Sequence, residues 1–126
     1  MQVFAKALGD DAAVAMLASY VAGLPKTVST TSAGGNLHNG KNLYHGKCGA
    51  CHGGAAEGNP ALKSPRLAGL DAAYIKRQFA HFRDGVRGTE PQDVPGRQMA
   101  MMGKTLPSER DLDDVIAFIH QQGRAK

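Results

Sequence analysis

CGACH, residues 48–52, holds both cysteines of the chain and sets His52 directly after the second of them. C-x-x-C-H is the attachment pattern of c-type haem. The logic is geometric. Two closely spaced thiols add to the two vinyl groups of the porphyrin as thioethers, and the next residue, a histidine, is then held beneath the iron as proximal ligand. Three other readings of a cysteine pair stand beside this one. A redox dithiol belongs in a βαβ context. A zinc site needs a second pair of ligands at workable spacing. A structural disulfide is compatible with the pair alone.

Around the motif lies a short chain of 126 residues, enough for one domain or one domain with an appendage. Chains of this size bury a modest core and often need a cofactor, metal or disulfide to complete it. Tryptophan is absent, glycine numbers 16, and 15 basic residues face 11 acidic ones for a net charge of +4. That balance suits an acidic protein partner. No Lys/Arg run or basic patch interleaved with aromatics appears, so a nucleic-acid partner is not expected. The first apolar stretch carries Lys6, Asp10 and Asp11, where the core of a signal peptide is uncharged. The apolar run 12–24 is shorter than the roughly 20 residues of a membrane helix. The expectation is a chain with no membrane span, its targeting sequence absent from the residues given.

Hydrophobic periodicity predicts helices throughout. Residues 10–24 place Val14, Leu17, Ala18 and Val21 on one stripe, and Pro25 stops them. The Ser/Thr/Gly-rich stretch after Pro25 has no period and reads as a linker. A second helix is expected after Asn39 as N-cap, running into Cys48. Residues 53–69 read as loop. Asp71 caps a third helix with Ile75, Phe79, Phe82 and Val86 on one face. A Gly/Pro-rich loop follows to about residue 98. Ser108 and Asp111 open a last helix with Leu112, Val115, Ile116 and Ile119 as its stripe. No segment sustains strand alternation, so the class is all-α.

A haem iron has a sixth position. Methionine is a soft, neutral thioether that favours Fe(II) and raises the potential. Met99, Met101 and Met102 lie in a segment expected to be flexible and able to fold over the opposite haem face. Filling the core is the competing role of such a cluster, above all for Met102. His38, His45, His81 and His120 are rival ligands on chemistry alone, each better read as a surface or helix-face histidine.

Four separated stretches carry a resemblance. GKNLYHGKCGACHG from Gly40 resembles the opening of class I cytochromes c. SPRLAGL at 64–70 is similar to that family's P-x-L-x-G stretch. YIKRQFAHFRDGVRG at 74–88 and MAMMGKTLPSERDLDDVIAFI from Met99 resemble the cytochrome c4 / c553 group. The resemblance implies the class I cytochrome c fold, its helices packed around one covalent haem c. It implies thioethers at Cys48 and Cys51, His52 as proximal ligand, and Met99, seven residues before Leu106, as distal ligand. It further implies that the Pro65 carbonyl accepts the other ring N–H of His52. Gly40 would let the second helix cross closely over the last near Phe118, with Tyr44 packed in the same crossing.

The same pattern appears at the start of the chain. At one constant spacing Met1 matches Met99, Phe4 matches Met102, Leu8 matches Leu106, Leu17 matches Val115, Tyr20 matches Phe118 and Val21 matches Ile119. Residues 1–24 therefore resemble the C-terminal tail of a preceding cytochrome domain and add an extra N-terminal helix. Residues 25–38 are the linker, and 39–126 the monohaem cytochrome c domain. Met1 has no haem motif of its own and is expected to bind no iron. The apolar stripe of 10–24 is expected to meet an apolar surface, on the haem domain or on a second copy of the chain as a homodimer.

The implied function is electron transfer by Fe(II)/Fe(III) cycling between respiratory redox partners in the bacterial periplasm, with no enzymatic turnover. Lys47, Lys63, Arg66 and Lys104 would border the haem edge and meet an acidic docking face. Two alternatives accompany it: a haem c module of a larger reductase or oxidase, and a ligand-binding or peroxidase-like haem protein with a labile Met ligand.

Overall fold

The computed structural model describes residues 2–25 and 34–124. Among them are seven α-helices, a single 3-10 turn at Pro60–Leu62 and no strand. Met1 and residues 26–33, most of the expected linker, lie outside the described residues.

Two helices precede the linker. The first, α1 (Gln2–Ala7), was not expected from the sequence. It is followed by a turn at Gly9, whose φ of +82° is left-handed. The second, α2 (Asp11–Gly23), starts where expected. Asp10 caps it by accepting the Ala13 amide at 2.8 Å. Among the described residues nothing buries the apolar stripe of α2. None of its residues is buried, and Tyr20 and Val21 are 68% and 57% exposed.

The haem-motif part of the chain is built on α3 (Leu37–Lys47), α4 (Gly49–His52), α5 (Ala72–Arg83), α6 (Val94–Gly103) and α7 (Glu109–Arg124). The N-cap of α3 is Asn36, not Asn39. The Asn36 side chain accepts the His38 and Asn39 amides at 3.0 and 3.1 Å. Two asparagines three residues apart offer the same local signal. The choice is made by α7, because Asn39 is occupied across the interface, donating to Asp111 and Asp114.

The other caps follow the sequence. Asp71 accepts the Tyr74 amide at 2.9 Å, and the Ser108 hydroxyl accepts the Asp111 amide at 3.2 Å while donating to its carboxylate. Two expectations are corrected. Val86 lies beyond the end of α5 and is exposed. The segment holding Met99, Met101 and Met102 is helical, not flexible. Asp93 caps it by accepting the Gly96 amide at 2.9 Å, Pro95 sits in its first turn, and Ala, Met and Gln then sustain it.

The core sits where α7 crosses α3. Leu112, Val115, Ile116, Phe118 and Ile119 of α7 are buried against Tyr44 of α3 and Ile75 of α5. His120, expected on a helix face, is buried with them. The Tyr44 and Phe118 rings stack at 5.1 Å, tilted by 43°, an arrangement aromatic pairs favour. The closest backbone approach falls one turn earlier than expected, where Gly40 meets Asp114 and Val115. Lys76 reaches from α5 to Asp113 of α7 at 2.5 Å, and Arg83 pairs with Glu109 at the start of α7. These pairs are partly exposed and contribute little individually. Among the described residues no helix is long and apolar enough to cross a membrane.

Candidate functional site

The site begins where α3 ends. The Cys48 amide donates to the Tyr44 carbonyl at 2.7 Å, closing the last turn of α3. A new turn starts at once, with the Cys51 and His52 amides both donating to the Cys48 carbonyl, at 3.1 and 2.9 Å. This tight turn brings both thiols and the imidazole onto one short piece of backbone. Gly53 ends it with φ +82°, and a side chain there would run into the Glu57 carboxylate. Cys48 and Cys51 are free thiols, the first half-buried and the second exposed. Burial pushes the Cys48 thiol up to about 11, with Lys47 opposing the shift and Cys51 adding to it.

His52 is buried, and its Nδ1 lies 2.9 Å from the Pro65 carbonyl oxygen. A carbonyl can only accept, so the proton sits on Nδ1. That fixes the tautomer and leaves Nε2 with its lone pair free to bind a metal. The acceptor itself is held firmly. The Leu67 and Ala68 amides both donate to the Ala56 carbonyl at 2.9 Å, tying the Pro65 segment to the loop after His52. Ala56 is fully buried with φ +59°, a left-handed conformation a non-glycine residue keeps only when its surroundings enforce it. Two closely spaced thiols, a buried imidazole and a carbonyl that orients it through Nδ1 are the donor set of a covalent haem, and the residues fit that group.

The structure brings Cys48, Cys51, His52 and Pro65 together on neighbouring segments. Met99 stands on a separate element, α6, which docks on α5. There Gly103 comes so close that a Cβ would stand 3.2 Å from the Arg83 nitrogen. Of the three methionines on α6, Met99 is the half-buried one, while Met101 is 65% exposed and Met102 is also exposed.

One group in the site was missed by the sequence reading. Tyr44 was assigned only to packing, yet its hydroxyl makes a polar contact with the site. The available signal was a phenol, rather than a phenyl ring, one helical turn before the first cysteine.

The model of the cytochrome c family matches residues 37–123, a span that holds every residue just described. The chain belongs to the cytochrome c family. Its relatives place it in class I, in the cytochrome c4 group. Cytochrome c-554(547) of Halothiobacillus neapolitanus is 34% identical over 88 residues, covering 68% of this chain and 94% of its own length. Cytochrome c4 of Azotobacter vinelandii is 33% identical over 116 residues, covering 86% of this chain and 53% of its own length. Cytochrome c4 of Stutzerimonas stutzeri is 36% identical over 77 residues, 60% of this chain and 36% of that protein. The chain thus spans between about a third and a half of the cytochromes c4 it matches. No solved structure matches it significantly. Membership brings a covalently bound haem c and the electron-transfer chemistry of cytochromes c, in line with the all-α fold and the thiol–imidazole turn.

Proposed function

We propose that this cytochrome passes single electrons between protein partners of a bacterial respiratory chain in the periplasm, with its iron held between His52 and Met99. Cys48 and Cys51 hold the porphyrin as thioethers, and Pro65 orients His52. When bound, the haem supplies one-electron Fe(II)/Fe(III) chemistry. The chain's own residues do the rest. His52 presents Nε2, Pro65 keeps the proton on Nδ1, and the aliphatic side chains of α5 and α7 keep water away. The observation that carries this reading is the 2.9 Å contact from His52 Nδ1 to the Pro65 carbonyl, which commits one ring nitrogen and leaves the other as a ligand.

The half-buried position of Met99 supports it as distal ligand over its two exposed neighbours. Closed six-coordination suits a carrier, since little rearranges on electron transfer, and it disfavours peroxide or gas chemistry at the iron. Lys63, Arg66 and Lys104 are exposed and suit an acidic docking face on the partner. Redox encounters of this kind use small, transient interfaces.

Residues 2–24 form, on this proposal, a unit of the α6–α7 type belonging to a second cytochrome domain. The Asp10 and Ser108 caps fall at the same spacing as the apolar matches, and exposed Leu17, Tyr20 and Val21 stand where buried Val115, Phe118 and Ile119 stand in α7. The match to the Azotobacter cytochrome c4 is also longer than the family span, so it reaches residues before Leu37.

A visible spectrum of both oxidation states, a pyridine haemochrome assay and a mass of the denatured protein test the reading together. One covalent haem per chain, with a low-spin spectrum and a weak red-region sulfur-to-iron band in the oxidised form, is expected. Haem extractable by acidified organic solvent, or a high-spin iron, would overturn it.

A further inference from the structure

Tyr44 grips the Cys48–His52 turn at both ends. Its backbone carbonyl accepts the Cys48 amide at 2.7 Å, and its hydroxyl donates to the carbonyl of Gly53 at 2.7 Å. The first bond fixes where the turn starts. The second fixes the peptide that follows Gly53, one residue beyond His52, at a glycine whose left-handed φ gives the backbone its greatest freedom. The Gly53 carbonyl also accepts the Ala56 amide at 3.2 Å, the Ala56 carbonyl accepts the Leu67 and Ala68 amides, and the carbonyl of Pro65 in that segment accepts Nδ1–H of His52. The bonds therefore close a ring, from the Tyr44 hydroxyl through the backbone and back to the imidazole.

Tyr44 itself cannot shift to follow the turn. Its side chain is fully buried between His45 and Phe118. Burial also raises its pKa well above the ordinary phenol value, with the nearby Cys48 and Glu57 adding to the rise, so it stays a neutral donor. A phenylalanine would fill the same space. The hydroxyl is what the bond to Gly53 needs, and it also meets the Ala56 backbone.

We infer that Tyr44 is a positioning residue for the ligand histidine: its hydroxyl anchors the Gly53 carbonyl, at the exit of the turn, and so holds the imidazole against the Pro65 carbonyl. This rests on the assignment of His52 as the iron ligand. A net hydrogen bond of ordinary strength corresponds to about a tenfold change in an equilibrium. Loss of the hydroxyl loosens the Nδ1–Pro65 contact by up to that factor. A weaker Nδ1 hydrogen bond makes the imidazole a poorer electron donor to the iron, so the potential moves upward.

The experiment uses the full holoprotein with nitrogen-15-labelled histidine. In the oxidised wild type, the His52 ring nitrogens are expected to show paramagnetic shifts. An unshifted His52 ring would overturn the ligand assignment itself. In the reduced protein, Tyr44→Phe is expected to speed exchange of the His52 Nδ1 proton by about tenfold and to raise the reduction potential. Ile119→Val, a core change in the same helix crossing, lowers stability without touching the ring of bonds and serves as the comparison. A paramagnetically shifted His52 together with exchange and potential no different in Tyr44→Phe from Ile119→Val would overturn the role of Tyr44 and leave the ligand assignment standing.

Discussion

Gly40 of α3 lies directly against the Asp114 carbonyl of α7. A Cβ added to Gly40 would overlap that oxygen and stand 2.5 Å from its carbon and 3.2 Å from the Val115 nitrogen. All three atoms are backbone and cannot rotate away. The two helices that frame the haem motif can approach this closely only because residue 40 has no side chain.

Gly40→Ala is therefore expected to be strongly destabilising, although alanine is the better helix former. Overpacking against a rigid backbone costs roughly 3 kcal/mol, more than the roughly 1 kcal/mol that alanine gains over glycine within a helix. Thermal unfolding of the holoprotein should show a fall in Tm of several degrees. A variant as stable as the wild type would mean that the helices can separate at this point without loss.

Acid should attack the same crossing. The buried Asp114 carboxylate accepts the Asn36 amide at 2.7 Å and the Asn39 side chain at 2.8 Å. These bonds, led by Asn39, hold its pKa below the ordinary 3.8. A lowered folded-state pKa gives stability that is complete above the ordinary value and lost as the pH falls from it towards the folded value. Asp114→Asn should be less stable than wild type at pH 7, because its amide confronts the amide of Asn39. It should also lose less on going below pH 3.8. Urea unfolding at neutral and acid pH measures both, and parallel losses in the two proteins would count against the assignment.

Met99→Ala should abolish the sulfur-to-iron band, lower the potential and admit cyanide or carbon monoxide. Met101→Leu should keep the band, since Met101 points to solvent. Met102→Leu should keep it as well, as a nearly volume-conserving swap. If the band survives Met99→Ala and disappears in either of the others, the distal ligand is wrongly placed.

The exposed stripe of α2 leads to a test of association. A chain beginning at Gly34 keeps the Asn36 cap and its bond to Asp114, whereas one beginning at Asn39 would lose both. The chain from Gly34 should show the same spectrum as the full chain. Only the full chain should associate as concentration rises, since exposed apolar patches tend to become interfaces. Sedimentation of both would decide it, and a full chain that stays monomeric at every concentration would remove the stripe as an interface.

Much of this architecture was legible because its signals are local. The caps at Asp71 and Ser108 each depend on a side chain reaching an amide three residues away, and the stripe of α7 is a pure 3.6-residue pattern. What stayed hidden depends on partners distant in sequence. Asn36 and Asn39 cannot be told apart until α7 claims the second. The helix at 94–103 was obscured by glycine and proline, which read as loop until Asp93 is seen to cap them. The Tyr44 hydroxyl was hidden for the same reason: packing in a core follows from its ring, while its donor finds an acceptor only once the turn at Gly53 exists.

The bond from the Asn36 amide to Asp114 also bears on how the protein is made. It spans 78 residues, so the first helix of the haem unit is secured by one synthesised much later. Until α7 has emerged, α3 has neither its carboxylate partner nor the ring of Phe118 beside Tyr44. Contacts this distant close late and slowly. During that interval the thiols of Cys48 and Cys51 sit on an unclosed chain, open to whatever machinery joins them to the porphyrin. The topology builds in a delay between translation and closure, and cofactor attachment can occur within it.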